Sequence, residues 1–241
     1  MTVARPTSER RWAVGVTTVP SRLDVLLPQT LHSLKRAGFP EPRLFVDGVK
    51  ELEWCGLEVT CRFPAVGAYP NWFLALHELV VRDPSAHYYA MFQDDLVCAG
   101  NLRAYLDRCT YPVKGYWNLI TFRENMERIP QGRIGWHEAR AARKGLGAVG
   151  LVFDRKAATE LLGCKSMWLK HFSGPSGSKR KVDGAVVEAL NSVGIKEFVH
   201  NPSLIQHTGA VSTIGNSYGE VGVGFPGEEF DAMRFIGKGV A

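Results

Sequence analysis

Two adjacent carboxylates, Asp94 and Asp95, end the run His87-Tyr88-Tyr89-Ala90-Met91-Phe92-Gln93. That run is rich in aromatics and free of Gly and Pro, so it reads as a buried strand. An ionised carboxylate taken out of water costs several kcal/mol unless a cation or strong donors compensate it. A pair at the carboxyl end of a strand is therefore most simply a hard-cation site. Asp supplies the oxygen ligands that Mg2+ or Mn2+ takes alongside substrate phosphates. The same dipeptide also suits a plain turn at the start of a loop, and both readings stand at this point.

The elements that must position the pair begin with Trp12-Ala13-Val14-Gly15-Val16-Thr17-Thr18, a compact β-rich run broken by Val19-Pro20-Ser21-Arg22. Leu23, Leu26, Leu27, Thr30, Leu31 and Leu34 then fall at helical spacing, with the helix starting or kinking near Pro28 and stopping at Gly38. Residues 43–47 form the next strand, ending on Asp47 before Gly48. Strand, helix, strand is a βαβ unit, whose parallel sheet binds ligands beyond the carboxyl ends of its strands. Thr17, Arg22, Asp47 and the Asp94-Asp95 pair all fall there. Residues 57–63 read as a strand and Gly67 lies in a turn. Asn71 then caps a helix whose polar face carries His77, Glu78 and Arg82.

After the carboxylates the pattern predicts a helix over 101–107 and a strand over 116–122. Residues 123–144 are rich in Arg, Lys and His without periodicity and read as an inserted loop over one face. Residues 146–153 resume a strand in which Gly147 and Gly150 permit close approach of another backbone or a ligand. A helix over 155–162 and a basic, Gly- and Ser-containing loop over 171–181 follow. Asp183 opens a short helix that it could also cap, and 195–200 is a last strand. The Gly-rich stretch after 209 reads as a wrap or lid.

The chain has 241 residues, 45% hydrophobic and 22% charged, as expected of a globular protein with a substantial core. No apolar run is long enough to span a bilayer. Residues 1–11 are polar and lack the apolar core of a secretory signal, so a flexible arm and a cytoplasmic setting are expected. The five cysteines lack Cys-x-x-Cys spacing, which argues against zinc ligation and a disulfide framework. A formal charge of +5 suits an anionic ligand or polymer. The usual Gly-rich phosphate loops are absent.

In this order the motifs resemble the nucleotide-sugar-dependent glycosyltransferases of the GT-A fold, in particular N-acetylglucosaminyltransferase-like members. The similarity rests on Thr17-Thr18-Val19-Pro20-Ser21-Arg22, Asp47, Gly67 with Asn71, and Gln93-Asp94-Asp95 in the place of an Asp-x-Asp motif. It continues through Gly147, Gly150 and Asp183 to Pro202-Ser203-Leu204-Ile205-Gln206-His207. Gln93 stands where the family has its first Asp. The resemblance implies an α/β, GT-A-like single domain with a mostly parallel central sheet flanked by helices and a smaller acceptor-side half. The implied boundaries are a catalytic domain over 12–216, divided into 12–110 and 111–216, with a Gly-rich tail or lid over 217–241.

The implied activity is metal-dependent transfer of a sugar, of hexosyl or N-acetylhexosaminyl type, from a nucleotide diphosphate, most simply a UDP-sugar, to an acceptor hydroxyl with inversion. Mn2+ or Mg2+ would offset the charge left on the diphosphate. Asp95 and His207 would hold the metal, and Asp94 would reach the ribose or a metal-bound water. Arg22 would pair with the diphosphate or base, and Thr17, Asp47, Gly67 and Asn71 would line the nucleotide. Asp183 would be the general base, with Glu124, His137 and Glu138 in reserve. Ordinary structural roles compete at each position: a backbone-bonded His207, a solvated Arg22, a turn at Asp47, a cap at Asp183. The acceptor could be a saccharide or a polyanion such as DNA carrying a hydroxylated base, since Trp136, Trp168 and Phe172 lie among basic residues. A sugar-phosphate nucleotidyltransferase and a non-catalytic carbohydrate- or nucleic-acid-binding module on the same fold are the competing readings.

Overall fold

The computed structural model describes residues 10–126, 133–139, 147–169, 181–208 and 222–237. Its first half is a parallel block. It comprises β1 (Trp12–Thr18), α1 (Leu27–Arg36), β2 (Arg43–Asp47), β3 (Val59–Arg62), α2 (Ala68–Arg82) and β4 (Tyr88–Gln93). The second half contains β5 (Leu96–Cys98), α3 (Leu102–Arg108), β6 (Gly115–Asn118), α4 (Arg123–Met126), β7 (Gly135–Glu138) and β8 (Gly150–Asp154). It ends with α5 (Arg155–Gly163), α6 (Lys165–Leu169), α7 (Val182–Ser192), β9 (Lys196–Asn201) and β10 (Ile205–His207).

Eight strands form one sheet in the order β3-β2-β1-β4-β8-β6-β9-β7. Only β8 and β7 run against the others, because β4, β1, β2 and β3 pair in parallel, as do β6 and β9. The α/β architecture, with a mostly parallel sheet between helices, is the one expected. β4 is central and buried to its last residue, which is why six residues without a charge occupy it. One face of the sheet packs Leu27, Leu34, Phe92, Leu106 and Trp117 under α1 and α3. The other packs Trp72, Phe73, Tyr89, Phe153 and Val186 under α2, α5 and α7. Each such side chain contributes roughly 1.5–3 kcal/mol by leaving water.

α1 starts at Leu27 with Pro28 in its first turn and ends in a Schellman motif. Phe39 N–H donates to Leu34 O at 2.8 Å and Gly38 N–H to Lys35 O at 3.1 Å. Gly38 takes φ +96°, where a Cβ would be strained.

Several local expectations are corrected. α2 begins at Ala68, so Asn71 is not its cap; Gly67 holds that position at φ +100°. Asn71 is buried within the first turn, where its side chain bonds β2 and β3 instead. β6 ends at Asn118 rather than running to 122, because Asn118 Oδ1 accepts from Ile120 N–H at 3.2 Å and turns the chain. The region read as an inserted loop contributes α4 and the edge strand β7, which pairs with β9; residues 127–132 and 140–146 lie outside the described residues. β7 is held by Trp136 stacking on Trp117, centroids 4.9 Å apart, so Trp136 is a packing residue. Trp168 is 40% exposed and meets Phe73 edge-on, while Phe172 and the loop around it fall outside the described residues.

Residues 222–237 are tied into the fold: Val223 N–H donates to Thr121 O, Gly100 N–H to Phe230 O, and a 3-10 turn at Ala232–Phe235 packs beside α3. Residues 209–221, the first part of the stretch read as a wrap or lid, are outside the described residues. Among the described residues no helix is long and apolar enough to cross a membrane, and the cysteines are free.

Candidate functional site

Burial of β4 carries its polar end to the carboxyl edge of the sheet, where Asp94 and Asp95 are each 2% exposed. Compensation comes from three directions. Thr18, at the end of the neighbouring β1, donates its hydroxyl to Asp94 Oδ2 at 2.5 Å. Arg22, closing a 3-10 turn at Pro20–Arg22, places Nη1 2.6 Å from Asp94 Oδ1 and 2.8 Å from Asp95 Oδ2. His207 Nε2 stands 3.1 Å from the same Asp95 Oδ2. The antiparallel β5–β10 pair sets that distance, because it puts His207 opposite Leu96, the residue after Asp95. Thr208 N–H then donates to Asp95 O at 2.7 Å.

Burial raises the Asp94 carboxyl above its usual range, outweighing Thr18 and Arg22, and the charge of Asp95 adds to the rise. Burial pushes Asp95 the same way, but His207 and Arg22 together overcome it and hold Asp95 low. Arg22 is itself held charged, its desolvation exceeded by the two carboxylates. Asp95 is thus the fixed anion of the pair. Three polar atoms of this cluster, Asp95 Oδ1, His207 Nδ1 and Thr208 Oγ1, are buried without a hydrogen-bond partner among the described residues. Such orphans are rare in folded proteins.

A carboxylate oxygen and an imidazole nitrogen are donor types that Mn2+ or Mg2+ accepts. Asp95 Oδ2 and His207 Nε2 are within hydrogen-bonding distance of each other at 3.1 Å, and both are atoms that could ligate a cation. Two protein ligands are few. Among the described residues no cluster of three or more His, Cys, Asp or Glu could hold a metal. Mg2+ and Mn2+ sites commonly complete their shell with water and phosphate.

A second group lies at the ends of β2 and β3. Asp47 is 5% exposed and accepts from Val66 N–H and Gly67 N–H, both at 2.8 Å. Asn71 donates to Phe45 O at 3.0 Å and accepts from Arg62 Nε at 2.8 Å. Asp47 and Gly67 therefore shape this edge through backbone contacts, and Asn71 through one backbone contact and the Arg62 side chain. Thr17 sits beside Gln93 in the β1–β4 ladder, with its hydroxyl 3.4 Å from Phe92 O.

The third group forms around Asp183. Lys181 holds the N-cap position of α7, so Asp183 does not cap it. Its carboxylate accepts from Gly147 N–H at 2.9 Å and from Gly184 N–H at 2.8 Å, and burial raises it against those bonds. Gly147 takes φ +76°, and a Cβ there would stand 2.4 Å from the Phe122 ring, so the close approach is to side chains. Asn118 Nδ2 donates to both Gly147 O and Glu197 Oε1 at 3.0 Å. Burial pushes Glu197 up to about 7, with the charge of Asp183 contributing. Gln93 N–H donates to Val149 O, two residues after Gly147.

The structure thus unites Arg22, Asp94, Asp95 and His207 and sets Asp47, Gly67 and Asn71 in a neighbouring group, with Thr17 on the ladder beside them. Asp183 stands across β8. Of the reserves, Glu124 lies on α4, and His137 and Glu138 on β7. Thr18, Asn118 and Glu197 were missed. Thr18 is adjacent to Thr17 in a strand, and alternation alone does not say which of the two faces the carboxylates.

The fold is similar to that of GalNAc-T7, whose crystal structure contains UDP, GalNAc and Mn2+. The match has a TM-score of 0.52 and 12% identity, over 86% of this chain and 44% of that one. The chain has a GT-A-like fold. It spans less than half the length of that GT-A relative. A second match, described as a glucose-1-phosphate thymidylyltransferase from Bacillus anthracis in complex with sucrose, has a TM-score of 0.46 and 10% identity over 81% of this chain and 89% of that one. No family model matches the sequence, and no curated protein matches it.

Proposed function

We propose that the chain is a metal-dependent glycosyltransferase acting on a nucleotide-diphosphate sugar, most simply a UDP-sugar. The observation that carries this reading is the Asp95–His207 pair at 3.1 Å, with unpartnered buried atoms on both residues, at the carboxyl edge of a GT-A-like sheet. Mn2+ is favoured because the GalNAc-T7 structure contains it with UDP; Mg2+ has the same ligand preference.

Asp95 and His207 hold the metal, which when bound supplies positive charge to the leaving diphosphate. Asp94, fixed by Thr18, faces the ribose or a metal-bound water. Arg22 offers its guanidinium to the diphosphate oxygens. Thr17 and the group of Asp47, Gly67 and Asn71 line the nucleotide, Asp47 by fixing the amides of Val66 and Gly67. The acceptor oxygen attacks the anomeric carbon from the face opposite the diphosphate as that bond breaks, which gives inversion, and Asp183 takes the hydroxyl proton. Its raised carboxyl suits a base more than an ordinary surface Asp. The acceptor is a saccharide or a hydroxylated nucleobase; basic positions 140, 143, 144, 179 and 180 lie outside the described residues.

The test is donor turnover. Incubated with a panel of UDP-sugars and Mn2+, the protein is expected to release UDP slowly by passing sugar to water. No release from any donor, despite binding, would identify a non-catalytic module. Formation of UTP from UDP-sugar and pyrophosphate would identify a nucleotidyltransferase.

A further inference from the structure

Arg22 and His207 meet at a single atom. Arg22 Nη1 lies 2.8 Å from Asp95 Oδ2 and His207 Nε2 lies 3.1 Å from it, while the same Arg22 nitrogen holds Asp94 at 2.6 Å. A cation held between Asp95 and His207 therefore claims an oxygen that the guanidinium already has. Both carboxylates are almost wholly buried, and two positive charges repel more strongly where water screens them less.

We propose that Arg22 is the resident counter-ion of this site and competes with the metal for Asp95. It yields when an anionic diphosphate draws its guanidinium away, so that metal and donor bind cooperatively. This inference rests on the metal-dependent reading above and adds an order to it.

Two features equip Arg22 for the exchange. Its ion pairs, among the described residues, are with Asp94 and Asp95 alone, and it stands with its side chain 12% exposed at the end of a three-residue turn outside β1. Asp94 keeps the Thr18 hydroxyl when the guanidinium leaves, and Asp95 passes from one cation to another. Neither carboxylate is left without a partner. Linkage makes the coupling reciprocal, so whatever UDP does to Mn2+ affinity, Mn2+ does to UDP affinity.

The experiment measures Mn2+ binding to the full chain by electron paramagnetic resonance, with and without UDP. In the parent, Mn2+ alone is expected to bind weakly, and UDP to tighten it by fivefold or more. Arg22→Gln is expected to bind Mn2+ alone about tenfold tighter than the parent, and UDP to add a smaller factor. Arg22→Lys, which keeps the charge, should stay near the parent. In urea unfolding, Arg22→Gln should lose stability in EDTA and regain more of it with Mn2+ than the parent gains. Equal or weaker Mn2+ binding by Arg22→Gln overturns the competition while leaving the metal reading intact. If that variant does not fold, a parent whose Mn2+ affinity ignores UDP overturns it equally. Absence of Mn2+ binding in every protein, with or without UDP, removes the metal reading and this inference together.

Discussion

Asp94 and Asp95 are neighbours in the chain and equally buried, yet their carboxyls are pushed in opposite directions. The difference lies in the partners, since Asp95 alone has His207. These residues were legible because ionisable side chains at the end of a buried aromatic strand are conspicuous. Arg22 and His207 were legible through the resemblance; their meeting at one oxygen was not, since it depends on a rotamer and a register. Asp183 was read as a base or a cap, and the structure shows it holding the amide of Gly147. Asp183→Asn is expected to lower transfer by about a hundred- to ten-thousand-fold while UDP affinity, from titration calorimetry, stays within about twofold. Unchanged transfer would remove Asp183 from the mechanism.

At the scale of elements, the parallel half was readable and the return strands were not. β1, α1 and β2 have strong periodicity and clear stops at Pro20 and Gly38. β5 and β10 have three residues each, too few for any period to show, yet their pairing delivers His207 to Asp95. β9 carries a buried and a half-buried titratable group with opposed effects. His200 accepts from Tyr105 and donates to Pro202 O, both at 2.7 Å, as a neutral ring; burial lowers it from 6.5 to about 4. Below pH 6.5 the unfolded chain takes that proton first, so stability falls as pH drops from 6.5 to about 4. Glu197 is raised from 4.5 to about 7, so its contribution is full below pH 4.5 and is lost as pH rises toward 7. Between pH 4.5 and 6.5 the two slopes cancel. Glu197→Gln keeps an acceptor for Asn118 and should expose the His200 slope, about 1.4 kcal/mol per pH unit, in urea unfolding across that range. A profile parallel to the parent's would contradict this pairing of effects.

For the whole molecule, the insertion of β8 between β4 and β6 decides which residues meet. It sets Val149 against Gln93, the residue before the carboxylate pair. No local pattern in the sequence reveals that β8 runs antiparallel, because a strand buried on both faces has the same composition in either direction. The general architecture was nevertheless readable, since motifs in a fixed order constrain topology more than any one of them constrains a contact. The central claim is that this edge of the sheet binds a nucleotide diphosphate through a divalent metal on Asp95. Titration calorimetry of UDP against the full chain, in Mn2+ and in EDTA, tests it for the parent and for Asp95→Asn. The parent is expected to bind UDP at least about tenfold tighter in Mn2+, and the variant, folded by circular dichroism, to lose that gain. Equal UDP affinity with and without Mn2+ in the parent, or an undiminished gain in Asp95→Asn, would contradict it.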